Sequence, residues 1–275
     1  MKFVRFAFVT MLVGIAFALG VLVSNRATAQ QRPTLMDAYR IIASHRFVDL
    51  THAFAPGIAH WHGFPNETVR TLYTYKSAGF LAQEFCHVGQ WGTHVDAPAH
   101  FAPGGKTVDQ IPVSQMLLPL VVIDVHGKVA RDPDYVVTMD DVRAWERAHG
   151  PIPAHAFVAM RTDWSKRWPS QAAMQNVDAH GVAHYPGWSM PVLRYLYDVR
   201  HVTATGHETT DTDPGVAASR GNYSLESWIL HHGHYQIEML AHLDRVPDEG
   251  ALVMVTFPKP RGGSGFPARV VAIVP

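Results

Sequence analysis

The 275-residue chain predicts a single mixed α/β domain richer in strands than in helices, and three observations carry that reading. Short apolar and β-branched runs of strand length recur from residue 46 to the C-terminus. Fewer stretches carry the helical period, and no repeat, Gly/Ser tract or charged linker divides residues 30–275. With 47% hydrophobic residues, that length supplies enough apolar side chain for one large core.

The N-terminus reads separately. Lys2 and Arg5 precede the uncharged stretch Phe6–Val23, and Ala27-Thr28-Ala29 offers a small-x-small cleavage site before Gln30. Residues 1–29 are therefore expected to be an export signal that delivers residues 30–275 to the periplasm. The alternative is a retained membrane anchor facing the periplasm, for which the apolar stretch is just long enough.

The first predicted helix is Leu35–His45, followed by strands at Arg46–Leu50 and Val69–Thr74 and an extended region over Gly79–His94. Leu117–Val125 is a continuous apolar run and predicts a strand buried on both faces. Thr138 suits an N-cap for a helix over Met139–His149, and Gly150 suits its stop. A strand at Ala156–Arg161 follows, then a helix over Met190–Arg200 beyond Pro186-Gly187. Val202–Thr205 is the next strand candidate, and Leu225–His231 reads as a helix ended by Gly233. Strands at His234–Leu240, Ala251–Phe257 and Ala268–Val274 complete the set.

Charge excludes some functions. Lys plus Arg equals Asp plus Glu at 23 each, so no long-range field favours nucleic acid or an anionic membrane surface. The lone Cys86 cannot form an internal disulfide, and its apolar neighbours Phe85 and Val88 predict a buried, inert thiol.

The chemistry concentrates in Gln90-Trp91-Gly92-Thr93-His94-Val95-Asp96-Ala97-Pro98-Ala99-His100. Side chains of an extended segment alternate, so Gln90, His94 and Asp96 share a face, and Pro98 turns the chain so that His100 can return towards them. Imidazole nitrogen and carboxylate oxygen suit a divalent ion such as zinc or manganese. Glu238 lies in the apolar run Tyr235–Leu240, where an unpartnered carboxylate is costly; a metal, or an ion pair with Arg161 or Arg269, would account for it. Glu226 reads either as a further ligand or as the acidic first turn of its helix. His231, His232 and His234 suit a solvated helix C-terminus rather than a metal. His52, His60 and His62, beside Trp61, suit substrate contact or plain exposure.

The same segment resembles the H-x-G-T-H-x-D-x-P-x-H signature of the cyclase family of metal-dependent hydrolases, which includes bacterial kynurenine formamidases and isatin hydrolases. Gly92, Thr93, His94, Asp96, Pro98 and His100 match, and Gln90 replaces the first histidine. Weaker matches run in order over residues 46–275: Asp49-Leu50-Thr51, Trp61 with Phe64-Pro65, Arg161-Thr162-Asp163-Trp164, Gly206 to Asp213, and Gly265 to Arg269. In the Gly206–Asp213 stretch, Glu208 replaces the first aspartate of a G-x-D-x-x-S-x-D loop.

The resemblance implies the swivelling β/β/α fold of that family and a dimeric or tetrameric homo-oligomer. It implies metal ligands at His94, Asp96 and Glu238, with Gln90 and Glu226 where the family carries histidines. This oxygen-rich set points to manganese or a single zinc, with one or two ions. It places a general acid/base at His100, whose imidazole titrates near neutrality. His207 and Glu208 are candidate supports behind the ligands. Trp61, Phe64, Trp91 and Phe101 are candidate contacts for an aromatic amide or lactam.

The expected function is hydrolysis of a small amide-type C–N bond by activated water, with arylformamidase-like chemistry. N-formylkynurenine, an intermediate of tryptophan breakdown, is the substrate the family suggests and the exported compartment disfavours. An isatin hydrolase-like lactam hydrolase, a non-catalytic periplasmic metal or small-ligand binding protein, and a metal-independent enzyme using Glu226 and Glu238 stand as alternatives.

Overall fold

The computed structural model describes residues 32–275, so the export signal read over residues 1–29 lies outside the described residues. Helix α1 (Leu35–Ser44) precedes a compact unit running from His45 to Pro275. No helix among the described residues is long and apolar enough to cross a membrane.

The unit is organised by a nine-stranded sheet and a separate hairpin. The strands are β1 (Arg46–Asp49), β2 (Thr68–Tyr73), β3 (Ala82–Cys86), β4 (His94–Asp96), β5 (Leu117–Asp124), β6 (Phe157–Arg161), β7 (Ala204–His207), β8 (Tyr235–Glu238), β9 (Ala251–Thr256), β10 (Gly265–Pro267) and β11 (Arg269–Val274). Sheet order is β1-β11-β9-β5-β6-β7-β8-β4-β10, and β2 pairs only with β3. The central β5, β6, β7 and β8 run parallel, while the flanking pairs are antiparallel.

Both faces of the central strands are buried, as the apolar run at 117–125 predicts. Alternation divides each strand between two cores. Val121 and Ile123 of β5 and Val158 and Met160 of β6 face a layer of helical residues including Val142, Trp145, Leu193 and Ile229. Leu120 and Val122, with Phe157 and Ala159, face a second core. That core also holds Val48 from β1 and Val95 from β4, near opposite ends of the strand order, so the large sheet curls over its own inner face.

Helix α2 (Met139–His149) has the predicted bounds for the predicted reasons. Thr138 Oγ1 accepts from Asp141 N at 3.3 Å, Asp141 Oδ2 accepts from Thr138 N at 2.8 Å, and Gly150 leaves the helix at φ 88°. Its carboxyl group also takes Tyr135 and Lys128, which holds Asp141 ionised below the usual carboxylate range against the cost of its burial. Helix α3 (Ser224–His231) likewise matches its predicted span, and its exposed end carries His231 and His232, bonded through Nδ1 to the carbonyls of Ser227 and Trp228.

Three expectations are corrected. The helix over Met190–Arg200 is α-helical only to Arg194, and Tyr195–Val199 widens into π turns that bury both Leu196 and Tyr197. The extended region 79–94 is interrupted after Cys86, because Gly92 at φ 62° turns the chain before β4. Cys86 is exposed rather than buried, since the β2–β3 hairpin stands apart from the main sheet.

Gly206 of β7 lies where a Cβ would meet Phe157 Cζ at 2.6 Å and Leu240 Cδ1 at 2.8 Å. Gly206→Ala should therefore destabilise the fold by ~1–3 kcal/mol in chemical denaturation, as overpacking does. Combining it with Phe157→Leu should recover part of that loss; strictly additive losses would contradict the clash as its cause.

Candidate metal centre

The site begins with strand pairing. β4 lies antiparallel to β8 with His94 opposite Glu238 and Asp96 opposite Gln236. Residues two apart share a face and opposed residues share it too, so these four side chains converge. His94 Nε2 lies 3.6 Å from Asp96 Oδ2 and 3.5 Å from Glu238 Oε2, with all three side chains at least nine-tenths buried.

Neighbouring residues fix this arrangement. Gly92 O accepts from His94 Nδ1 at 2.8 Å, which puts the proton on that nitrogen and turns the Nε2 lone pair towards the carboxylates. Thr93 Oγ1 donates to Met239 O at 2.6 Å, tying the start of β4 to the end of β8. Gly265 of β10, opposite Asp96, leaves room for Gln90: a Cβ there would lie 2.3 Å from Gln90 Nε2. Gln90 thus faces the same cavity as His94 and Asp96.

A second group of side chains shares Asp96. His100 closes the short helical turn Pro98–His100, with Nε2 4.0 Å from Asp96 Oδ1 and 3.9 Å from Glu226 Oε1. Glu226 sits in the first turn of α3, as the helix-start reading has it, and its side chain also lines the cavity. Asp213 determines where it points. The Asp213 carboxylate accepts from the backbone N–H groups of Leu225 and Glu226 at 3.0 and 3.1 Å, satisfying the open end of the helix.

His94, Asp96 and Glu238 form one candidate metal group, and Asp96, His100 and Glu226 form another; in each, the potential ligand atoms lie within 4.8 Å of one another. The donor set fits a divalent ion. Asp96 Oδ1 is buried with no hydrogen-bond partner, and three carboxylates face one another without a Lys or Arg in the cavity lining. Arg161 pairs instead with Asp124 and Asp163, and Arg269 with Asp49, which removes the ion-pair explanation of Glu238. Burial, then repulsion from Asp96 and neighbouring aspartates, raises Glu226 well above its usual pKa. Burial, then Glu226 and Asp96, does the same to Glu238. For His94, burial opposes protonation, but the Asp96 charge outweighs it and the net shift is upward.

Gln236 is the residue that sequence reasoning missed. Its Nε2 donates to Asp96 Oδ2 at 3.3 Å and Glu238 Oε1 at 3.1 Å, while its Oε1 accepts from Thr212 Oγ1 at 2.5 Å. The signal was available, since Gln236 is two residues before Glu238 in a strand. His207 lies behind Glu238, its Nε2 3.5 Å from Glu238 Oε1, and burial lowers its pKa to about 3 so that it stays neutral. Glu208 points the other way: Thr162 N and Oγ1 and Ser165 Oγ donate to it, so it braces the Thr162–Ser165 turn rather than the metal group.

The cavity has a volume of about 240 Å³. Trp61, Phe64 and Phe101 line it as expected, joined by Tyr223, whose hydroxyl accepts from Trp61 Nε1 at 3.1 Å. Trp91 is the exception. It is fully buried and packs on His60 at a ring separation of 4.7 Å, in the bent segment before β4 from which Gln90 reaches the cavity. Nothing in its spacing marked Tyr223, which arrives from the loop before α3.

Fold and site together define the class. The family model described as putative cyclase matches residues 48–214, and the chain belongs to that family. Among particular relatives, isatin hydrolase of Roseibium aggregatum is 35% identical over 219 residues, covering 77% of this chain and 82% of that protein. Isatin hydrolase A from Ralstonia solanacearum superposes with a TM-score of 0.81 at 31% identity, covering 90% of this chain and 100% of that one. An isatin hydrolase bound to the product analogue thioisatinate gives 0.81 at 28% identity, covering 90% and 99%.

The raised carboxyl groups carry a sign. A group whose folded pKa exceeds its unfolded value stabilises the fold below the unfolded pKa, and that contribution is lost as pH rises through the folded pKa. In metal-stripped protein, Glu226→Gln should therefore raise the melting temperature at pH ~8, the gain fading towards pH ~4 as the parent carboxyl is protonated in both states. A variant that melts lower than the stripped parent at pH ~8 would contradict the buried-charge assignment.

Proposed function

We propose that the chain is a metal-dependent amidohydrolase that opens a small aromatic cyclic amide with activated water. The observation that carries this reading is the His94–Asp96–Glu238 group in the wall of an aromatic-lined cavity. Its likeness to isatin hydrolases supports a lactam over the linear formamide of an arylformamidase. Both remain amides of one chemical type and belong in the same assay.

His94, Asp96 and Glu238 would hold the ion, with the Gln90 amide and Glu226 on the adjoining walls. When bound, a zinc or manganese ion supplies Lewis acidity that lowers the pKa of water and polarises a carbonyl. Gln236 keeps the Asp96 and Glu238 carboxylates aligned through its two donated hydrogen bonds. Trp61, Phe64, Phe101 and Tyr223 hold the flat ring and exclude water. His100, whose side chain is 26% exposed at the cavity edge, takes the water's proton and delivers it to the leaving nitrogen. The Asp96–His100–Glu226 group favours a second reading, in which His100 is a ligand of a second ion.

His94→Ala and Asp96→Ala should each lose bound metal together with nearly all hydrolysis of lactams and formanilides, checked by elemental analysis and a substrate screen. His100→Ala should keep its metal and lose ~10² to 10⁴ in turnover. Loss of one ion per chain in that variant would instead make His100 a ligand. Full metal occupancy in the wild type with no hydrolysis of either amide class would favour a non-catalytic binding protein.

We also propose a dimer or tetramer of this chain. An isolated two-stranded hairpin is marginal by itself, yet β2–β3 and its connection expose Leu72, Tyr73, Tyr75, Phe80, Leu81 and Phe85. Replacing Leu81 and Phe85 with Glu should lower the mass found by light scattering; an unchanged mass would place the interface elsewhere. Export with cleavage before Gln30 completes the proposal, and N-terminal sequencing from the native host should begin at or near Gln30. Intact Met1 on membrane-bound protein would mean an anchor.

A further inference from the structure

A second cavity, of about 580 Å³, adjoins the first, and the two share Trp61, Thr210, Asp211 and Tyr223 as common wall. The Trp61–Tyr223 hydrogen bond braces two sides of that wall. The third is Asp211, a carboxylate only 5% exposed. Its Oδ2 accepts from Tyr185 Oη and from Thr210 Oγ1, the latter at 3.1 Å. Its Oδ1 has no hydrogen-bond partner among the described residues.

The Asp211 side chain is buried as a whole, but its unpartnered Oδ1 keeps access to the cavity space, where a ligand N–H can take the place of water. Neither cavity is lined by Lys or Arg, and the second contains only His62 as a basic group. Burial raises the Asp211 pKa to about 6, which leaves it ionised at neutral pH and above. The rings of Trp61 and Tyr223 beside it suit a cation as well as an aromatic plane. Trp61 and Tyr223 also hold the substrate ring in the hydrolytic cavity, but the Asp211 carboxylate has no part in the group around His94.

We propose that the second cavity is a subsite for a positively charged, N–H-bearing arm of the substrate, with Asp211 Oδ1 as its acceptor. Resting on the amidohydrolase reading above, this makes the preferred substrate an aromatic lactam whose ring carries an ammonium or amidinium substituent. The lactam ring then occupies the first cavity and the arm reaches towards Asp211, which lines both cavities, past the face of the Trp61–Tyr223 pair. Asp211 is then a specificity residue, and a neutral lactam without the arm uses only the first cavity.

Two measurements separate this proposal from the function it rests on. The first is calorimetric binding of benzylamine and of neutral benzyl alcohol to the full chain saturated with manganese. The wild type should bind benzylamine more tightly, and Asp211→Asn should reduce that preference by ~10- to 100-fold, the range for a hydrogen bond to a charged group. Val177→Lys places a competing cation at a position of the second cavity that is 50% exposed and tolerant of substitution, and should also weaken benzylamine. Equal binding of the two probes by the wild type, or an unchanged preference in a folded Asp211→Asn protein, would overturn the subsite. The second is hydrolysis of a bicyclic aromatic lactam with an aminomethyl arm against its hydroxymethyl counterpart, where kcat/KM should favour the amine and Asp211→Asn should level the two. Turnover of both lactams at equal kcat/KM would sink the subsite and leave the hydrolase reading intact. Asp211-dependent benzylamine binding with no lactam turnover would support the subsite and sink the hydrolase reading.

Discussion

The site is arranged around one electrostatic problem: four carboxylates, Asp96, Asp211, Glu226 and Glu238, share a buried cavity wall with a single buried imidazole and no Lys or Arg. Like charges at this depth repel strongly, and each is desolvated besides. The protein does not neutralise them with arginine, although Arg161 and Arg269 are present and committed to other aspartates. A divalent cation answers both costs at once, which is why the group reads as a metal centre rather than as a structural network.

The scaffold holds that group through local devices, each of which can be traced. Antiparallel pairing of β4 with β8 supplies the register, and a shift of one residue would turn His94, Asp96 and Glu238 out of the cavity. Asp213 caps α3 from a distant loop and so aims Glu226. Gly92 turns the chain into β4, and Gly265 leaves space beside it for Gln90. The parallel centre of the sheet is buried on both faces, and the site lies at its β7–β8–β4 side, where parallel gives way to antiparallel pairing.

Much of this was legible in the sequence because it is local. Alternation along β4 placed His94 and Asp96 together, an apolar run marked β5, and Thr138 and Gly150 marked the bounds of α2, whereas Gln90 reaches the cavity from the bend before Gly92. Glu238 stood out because a carboxylate in an apolar strand needs a partner. What was not legible depends on contacts between distant segments. Gln236 bridging Asp96 and Glu238, Tyr223 bonded to Trp61, and Asp211 between two cavities are products of strand order and loop placement. Trp91 and Glu208 depart from their sequence neighbours Gln90 and His207: Trp91 packs on His60 and Glu208 accepts from Thr162 and Ser165. Cys86 was misjudged because its apolar neighbours belong to a hairpin outside the main sheet rather than to the core.

The central claim is that a divalent ion neutralises the carboxylate group, and crystals grown with manganese test it most directly through anomalous diffraction. The account predicts a strong anomalous peak among His94 Nε2, Asp96 and Glu238, with any second peak between Asp96, His100 and Glu226. Full-strength diffraction with no peak at either place, or with manganese bound only at surface carboxylates, would contradict it.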